Sequence, residues 1–167
     1  MIRAWHFLYE GSRLRGGAIA PADGQWLEVT GIIEPCRNGL HASIRPADAL
    51  QHAPGPILCL VECDGTIVHA DDKLACSRRR IVVRMDATEM LLYYARMQAM
   101  SVVNLWDAPD IVLDYLMTGD PAAWSAAWSA AWAAAWSAAR SAARSAARSV
   151  AKDDFDRLVF ECFEDYL

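Results

Sequence analysis

The sequence predicts an α+β fold: a small β-rich N-terminal domain followed by helices. Three observations predict it. From residue 1 to about 85, short apolar runs alternate with turn residues such as Gly16-Gly17, Asn38-Gly39 and Asp64-Gly65. From Asp86 onward, apolar residues recur at helical intervals. From Ala122 to Ala151, a four-residue repeat of Ala with Trp or Arg runs without Gly or Pro. The 167 residues divide accordingly into a β-rich domain (1–85), two connecting helices (86–119), a long repeat helix (120–152) and an amphipathic C-terminal helix (153–167).

Each element has a local reason. Ile2–Tyr9 is an apolar and aromatic strand. Gln25–Ile33, with Trp26, Val29, Ile32 and Ile33, reads as a second strand broken near Gly31. Ser43 stands ahead of a short helix over Arg45–Gln51, with Pro46 in its first turn. Pro56–Cys63 is a third strand, and Asp64-Gly65 reads as a hairpin turn into Thr66–His69. Arg80–Met85 is a further strand. Asp86 and Glu89 have capping-box spacing and open a helix bearing Met90, Leu91, Tyr94, Met97 and Met100. A second helix starts near Asp107, carries Ile111, Val112, Tyr115 and Leu116, and stops at Gly119. Asp120-Pro121 opens the third, an Asp cap followed by Pro.

The repeat sets its own geometry. Four residues turn a helix by about 400°, so successive repeats drift by about 40°. Trp124, Trp128, Trp132 and Trp136 therefore fan over about 120°, and Arg140, Arg144 and Arg148 continue the fan. Four exposed Trp would form an apolar patch too large for a quiet surface, so something must cover them. The rest of the chain, a second copy of the helix or another protein could do so. The Arg residues suit the negative end of the helix dipole, and Arg140 can lie over Trp136. A membrane span is rejected, because Ala and Ser are weakly apolar and the Trp are spread through the segment. After the repeat, Phe155, Leu158, Val159, Cys162, Phe163 and Tyr166 share one helical face, with Asp153 and Asp154 placed to cap a separate helix.

Charge and cysteine usage exclude several classes. Lys+Arg is 16 and Asp+Glu is 21, a net charge of -5, which argues against coating nucleic acid. The first ten residues lack a signal-peptide apolar run, which argues against secretion. Five cysteines without framework spacing fit a reduced, cytoplasmic thiol set. Cys59 and Cys63 would lie some 13 Å apart along one strand face, too far for one metal. They read as core, and neither a metal nor a cofactor is expected.

The most site-like segment is Cys36-Arg-Asn-Gly-Leu-His-Ala-Ser43, which puts a thiol, an imidazole and a hydroxyl within eight residues. A Cys–His nucleophile pair or a His–Ser substrate clamp is conceivable there, against structural roles for His41 and Ser43. Asp71-Asp72-Lys73 reads as a charged turn. Arg78-Arg79-Arg80 reads as a solvated strand edge.

Trp5-His6-Phe7-Leu8, the Cys36–Ser43 segment, Asp48-Ala-Leu50, Ala53-Pro-Gly55, Asp71-Asp-Lys73 and Leu105-Trp-Asp-Ala-Pro-Asp110, with the Ala/Trp/Arg repeat, resemble an uncharacterised family of phage and prophage proteins. The resemblance implies an accessory protein in the host cytoplasm, acting on host machinery that can include defence systems. The leading expectation is therefore non-enzymatic: homo-oligomerisation or docking on a host protein through Trp124, Trp128, Trp132, Trp136, Arg140, Arg144 and Arg148. The chain also resembles ADP-ribosyltransferase-like folds, with a His on an early strand (His6) and a Ser after a Gly turn (Ser43). That likeness implies a nucleotide-binding or ADP-ribosyl-transferring enzyme using His6, His41 and Ser43. The glutamate such enzymes need has no clear counterpart in the first 120 residues. Peripheral membrane association through the Trp helix is a third alternative.

Overall fold

The computed structural model describes residues 1–101, 103–105, 107–120 and 147–167. They form two compact units, Met1–Thr88 with Phe155–Leu167, and Glu89–Asp154. Trp124, Trp128, Trp132, Trp136, Arg140 and Arg144, and with them the long repeat helix, lie outside the described residues.

The first unit is a five-stranded antiparallel sheet made from β1 (Ile2–Leu8), β2 (Trp26–Glu28), β3 (Leu40–Ala42), β4 (Ile57–His69) and β5 (Leu74–Asp86), with the short helix α1 (Pro46–Leu50). β4 lies between β1 and β5, and β2 and β3 pair with successive stretches of β5. The sheet then closes on itself. Trp5 pairs with Leu60 of β4 on one side and exchanges both backbone hydrogen bonds with Ser43 on the other, at 2.7 and 2.9 Å. The ring encloses a buried cluster that includes Ala4, Leu8, Leu40, Cys59, Val61 and Leu74. By strand alternation, His6 shares the inward face of β1 with Ala4 and Leu8.

The opposite face of β1 is covered by the C-terminal helix α4 (Ala147–Cys162) and the residues after it. Trp5 meets Phe163 edge-on at 5.0 Å and Phe160 at 6.0 Å, and Phe155, Val159 and Phe163 are fully buried. Asp156, itself buried, ties α4 to α1. Its carboxylate accepts from Arg45 Nε and from the Ala47 amide, both at 2.7 Å.

In the second unit, α2 (Thr88–Ser101) contributes most of its length and buries no side chain completely, while α3 (Asp110–Thr118) buries only Val112. Gly119 ends α3 in the left-handed conformation, its amide donating to Tyr115 O at 2.8 Å, as its place in the sequence predicts. Tyr94 Oη donates to Ala151 O at 2.8 Å.

Several expectations are corrected. Asp64-Gly65 is not a hairpin turn. β4 runs through it to His69, with a bulge between Asp64 and Ile67, and Gly65 takes φ +73° there. The turn lies at Asp71-Asp72-Lys73, closed by the Ala70 amide donating to Lys73 O at 2.8 Å. The strand expected at Arg80–Met85 consequently begins at Leu74. The strand expected over Gln25–Ile33 contracts to Trp26–Glu28. Ser43 does not cap α1: it is spent on the bridge to Trp5, and Arg45 occupies the cap position without a side-chain bond. Asp86 ends β5 and accepts from the Thr88 amide (2.9 Å) and hydroxyl (2.6 Å), so the capping box with Glu89 is replaced by an Asp–Thr turn. Asp153 and Asp154 sit inside α4, which runs unbroken through Lys152 with Arg148 in its first turn.

Candidate functional site

Within the β-rich unit a cavity of about 730 Å³ opens beside the inward face of β1. Three segments distant in sequence build its polar floor: His6 from β1, His41 and Ser43 from β3 and the residue after it, and Arg79 from β5. His6, His41 and Ser43, the residues named for the enzyme alternative, all line this cavity.

His41 is fixed by its own loop. The Cys36 amide donates to His41 Nε2 at 2.9 Å, and Cys36 takes the left-handed backbone conformation (φ +69°) to do so. An imidazole that accepts at Nε2 while neutral carries its proton on Nδ1, leaving an N–H donor on the other edge. The loop also needs Gly39. With φ +138°, any Cβ there would lie 2.9 Å from the Ala75 Cβ of β5. The bond between Cys36 and His41 runs through the backbone amide, so it does not make the Cys–His nucleophile pair considered above. Of the other thiols, burial pushes Cys59 up to about 12, and the hydrogen bond between Cys63 and Cys76 raises Cys63, with burial, and lowers Cys76. Cys59 and Cys63, buried and protonated, are inert. Among the described residues no group of three or more His, Cys, Asp or Glu could hold a metal ion.

Both site histidines are held neutral. Burial lowers the His6 pKa well below its ordinary value, the Arg79 charge lowers it further, and His41 adds to this when it is protonated. Burial lowers that of His41 too, followed by Lys73, Arg79, His52 and Arg15. These groups thus converge on His41 from four segments of chain.

Sequence reasoning missed Arg79. The Arg78-Arg79-Arg80 run is a strand interior, and alternation separates its members. Arg78 and Arg80 point outward and hold the Trp26 ring between them at 4.6 and 4.8 Å, each also paired with a carboxylate. Arg79 points inward, is 5% exposed, and donates to His41 O. Burial lowers its proton affinity, but a guanidinium stays charged at neutral pH.

The charge around the cavity is one-sided. Outside it, the described Arg residues of this unit are all ion-paired: Arg3 and Arg80 with Glu62, Arg45 with Asp156, Arg78 with Glu28, Arg84 with Asp23 and Arg157 with Glu161. Four cations that line the cavity, Arg13, Arg15, Lys73 and Arg79, have no carboxylate partner among the described residues, and no Asp or Glu lines it. Two further lining residues carry their own compensation: Arg37 pairs with Glu34 at 3.3 Å, and His52 with Asp72 at 2.8 Å.

An antiparallel sheet closed around an apolar cluster, with a cavity open beside β1, defines the class: a small α+β domain. Residues 5–93 match the family described as a domain of unknown function, DUF7666, and the chain belongs to it. Neither the curated proteins nor the solved structures give a match. No helix among the described residues is long and apolar enough to cross a membrane.

Proposed function

We propose that the β-rich domain binds a small phosphate-bearing anion in its cavity. Arg13, Arg15, Lys73 and Arg79 supply the charge, and His6, His41 and Ser43 supply neutral polar contacts. The observation that carries this reading is the contrast in pairing. Burying a guanidinium without a counter-charge is costly, and a bound anion offsets that cost. Phosphate suits a guanidinium fork, which can meet two oxygens at once. Calorimetry of the full chain with inorganic phosphate and pyrophosphate at low salt tests it. Binding that weakens as salt rises is the expected result. Absence of binding by either anion at millimolar concentration would remove the proposal.

If the bound molecule is a nucleotide that is turned over, His6, His41 and Ser43 are the residues placed to act. His41→Ala or Ser43→Ala would then abolish turnover in a folded protein that still binds.

The Trp repeat supports a second role, independent of the cavity. We propose that the segment bearing Trp124, Trp128, Trp132 and Trp136 drives self-association or docks on a host protein, as the likeness to phage accessory proteins implies. Light scattering should give a mass above one chain at micromolar concentration, falling in a Trp128→Ser, Trp132→Ser variant. A single-chain mass for wild type would contradict self-association.

A further inference from the structure

We infer that an anion enters the cavity together with a proton and that His6 takes the proton up, so that the site binds more tightly as pH falls. The inference rests on the anion-binding reading above and adds to it: His6, neutral in the fold alone, is charged in the complex. The first argument is charge at depth. Of the cations that line the cavity, Arg79 alone is buried. Arg13 and Arg15 are exposed and Lys73 is half-buried, so water and salt screen them. An anion at the floor therefore meets one unscreened positive charge. A phosphate group brings about -1.5 to -2 at neutral pH. One guanidinium leaves up to about one negative charge unmatched inside, and a proton is the smallest group that matches it.

The second argument is which group can take the proton. Three imidazoles line the cavity. His52 is paired with Asp72 at 2.8 Å, and His41 spends its acceptor nitrogen on the Cys36 amide at 2.9 Å. A proton on His41 Nε2 would break that bond. His6 makes no side-chain hydrogen bond among the described residues, so its acceptor nitrogen is free. Once protonated, an imidazole donates from both nitrogens. Arg79 stands on the same floor, with Nη1 given to His41 O and the rest of its fork making no hydrogen bond among the described residues. An imidazolium and a guanidinium edge can then meet one anion together.

The third argument is the sign set by the surroundings. Arg79 from β5 and, when protonated, His41 from β3 repel a proton on His6, and burial acts in the same direction. From β4, Cys59 stands opposite His6 in register, and burial keeps its thiol protonated. Cys76 of β5 donates from Sγ to Leu40 O at 3.3 Å, as a thiol rather than a thiolate. Arg13 and Arg15 after β1 and Lys73 before β5 add only positive charge, and Cys36 and Tyr9 complete the titratable lining. No Asp or Glu lines the cavity, and the nearby carboxylates of Glu34 and Asp72 are spent on Arg37 and His52. Nothing among the described residues therefore holds a proton on His6, and a bound anion reverses that balance. Proton and anion then strengthen each other's binding by the same factor.

Sulfate is the decisive probe, because it stays a dianion near neutral pH and cannot itself carry the proton. Calorimetry of the full chain with sulfate and with inorganic phosphate, in two buffers of different ionisation heat at each pH from 7.5 to about 5, tests this. Sulfate should bind with uptake of up to one proton, and its affinity should rise by up to about tenfold per pH unit as pH falls. In His6→Gln the uptake should vanish. Should that variant fail to fold or to bind, proton NMR of the wild-type imidazoles decides. Adding sulfate near pH 6 should move the His6 signals toward the protonated position. Sulfate bound without proton uptake, His6 signals that do not move, or uptake that survives in His6→Gln would overturn the inference and leave the anion reading intact. Phosphate binding where sulfate does not would put the proton on the ligand and overturn it as well. If neither anion binds at millimolar concentration, both readings fall together.

Discussion

The two faces of β1 solve opposite problems with adjacent residues. Trp5 turns outward onto Phe160 and Phe163 and is sealed by hydrocarbon. His6 turns inward toward Arg79 and His41, where burial and positive charge both disfavour its protonation. One face is arranged for stability. The other holds a buried guanidinium without a carboxylate partner among the described residues and two neutral imidazoles, with Arg13, Arg15 and Lys73 nearer the solvent at the cavity. Where a small domain buries a guanidinium such as Arg79 beside neutral imidazoles, function is a physical reason to look for.

The difference is open to direct attack. The largest effect belongs to the sealed face. Phe163→Ala leaves a cavity against Trp5 and should cost ~3–5 kcal/mol, read as a fall in the urea midpoint, with the anion site lost only through unfolding. Asp156→Ala comes next. It strands the buried Ala47 amide and should cost about 2 kcal/mol by the same measurement, since a hydrogen bond to a charged group is worth ~1.5–3 kcal/mol and the part-exposed Arg45 regains water. Gly39→Ala should cost ~1–3 kcal/mol through strain at φ +138° and contact with Ala75. It should also weaken anion binding, because the same loop holds His41.

The smallest effect is a slope with pH. His6 and His41 have lowered pKa values in the fold, so the unfolded chain binds more protons below about 6.5, the ordinary His value. Stability from these groups is complete above that pH and is lost as pH falls through the lowered values. Asp72, lowered by its bond to His52, and Asp86, lowered by its bonds to Thr88, act only below their ordinary 3.8. Urea midpoints from pH 7.5 to 4.5 should therefore already decline near pH 6. A His6→Gln variant should flatten that limb. An unchanged slope would show that His6 is not held neutral.

Much of this was legible in the sequence. The period-two and helical patterns place β1, β4, β5, α2, α3 and the face of Phe155, Val159 and Phe163. His41 and Ser43 stood out within a polar segment, and His6 joined them only through the likeness to ADP-ribosyltransferase-like folds. The neutrality of the two imidazoles was not visible, because that depends on cations brought in from Arg15, Lys73 and Arg79. Asp64-Gly65 has the composition of a tight turn, yet glycine at positive φ serves a bulge equally well, and the long pairing with β5 decides between them. Arg79 was hidden by its neighbours: a run of three Arg looks solvated until strand alternation is applied to it. Ring closure through Trp5 and Ser43 left no local signal, since it is one backbone bridge between residues 38 positions apart.

Thermal unfolding of wild type and of Arg79→Met, each with and without pyrophosphate, tests the central claim most directly. If Arg79 is kept for a ligand, pyrophosphate should raise the wild-type Tm, since a ligand bound only to the fold stabilises it. Methionine should remove an uncompensated buried charge at little cost, so the variant without anion should lie within about 1 kcal/mol of wild type or above it. It should no longer respond to pyrophosphate. A wild type indifferent to the anion, or a variant that is strongly destabilised and still responds, would contradict the account.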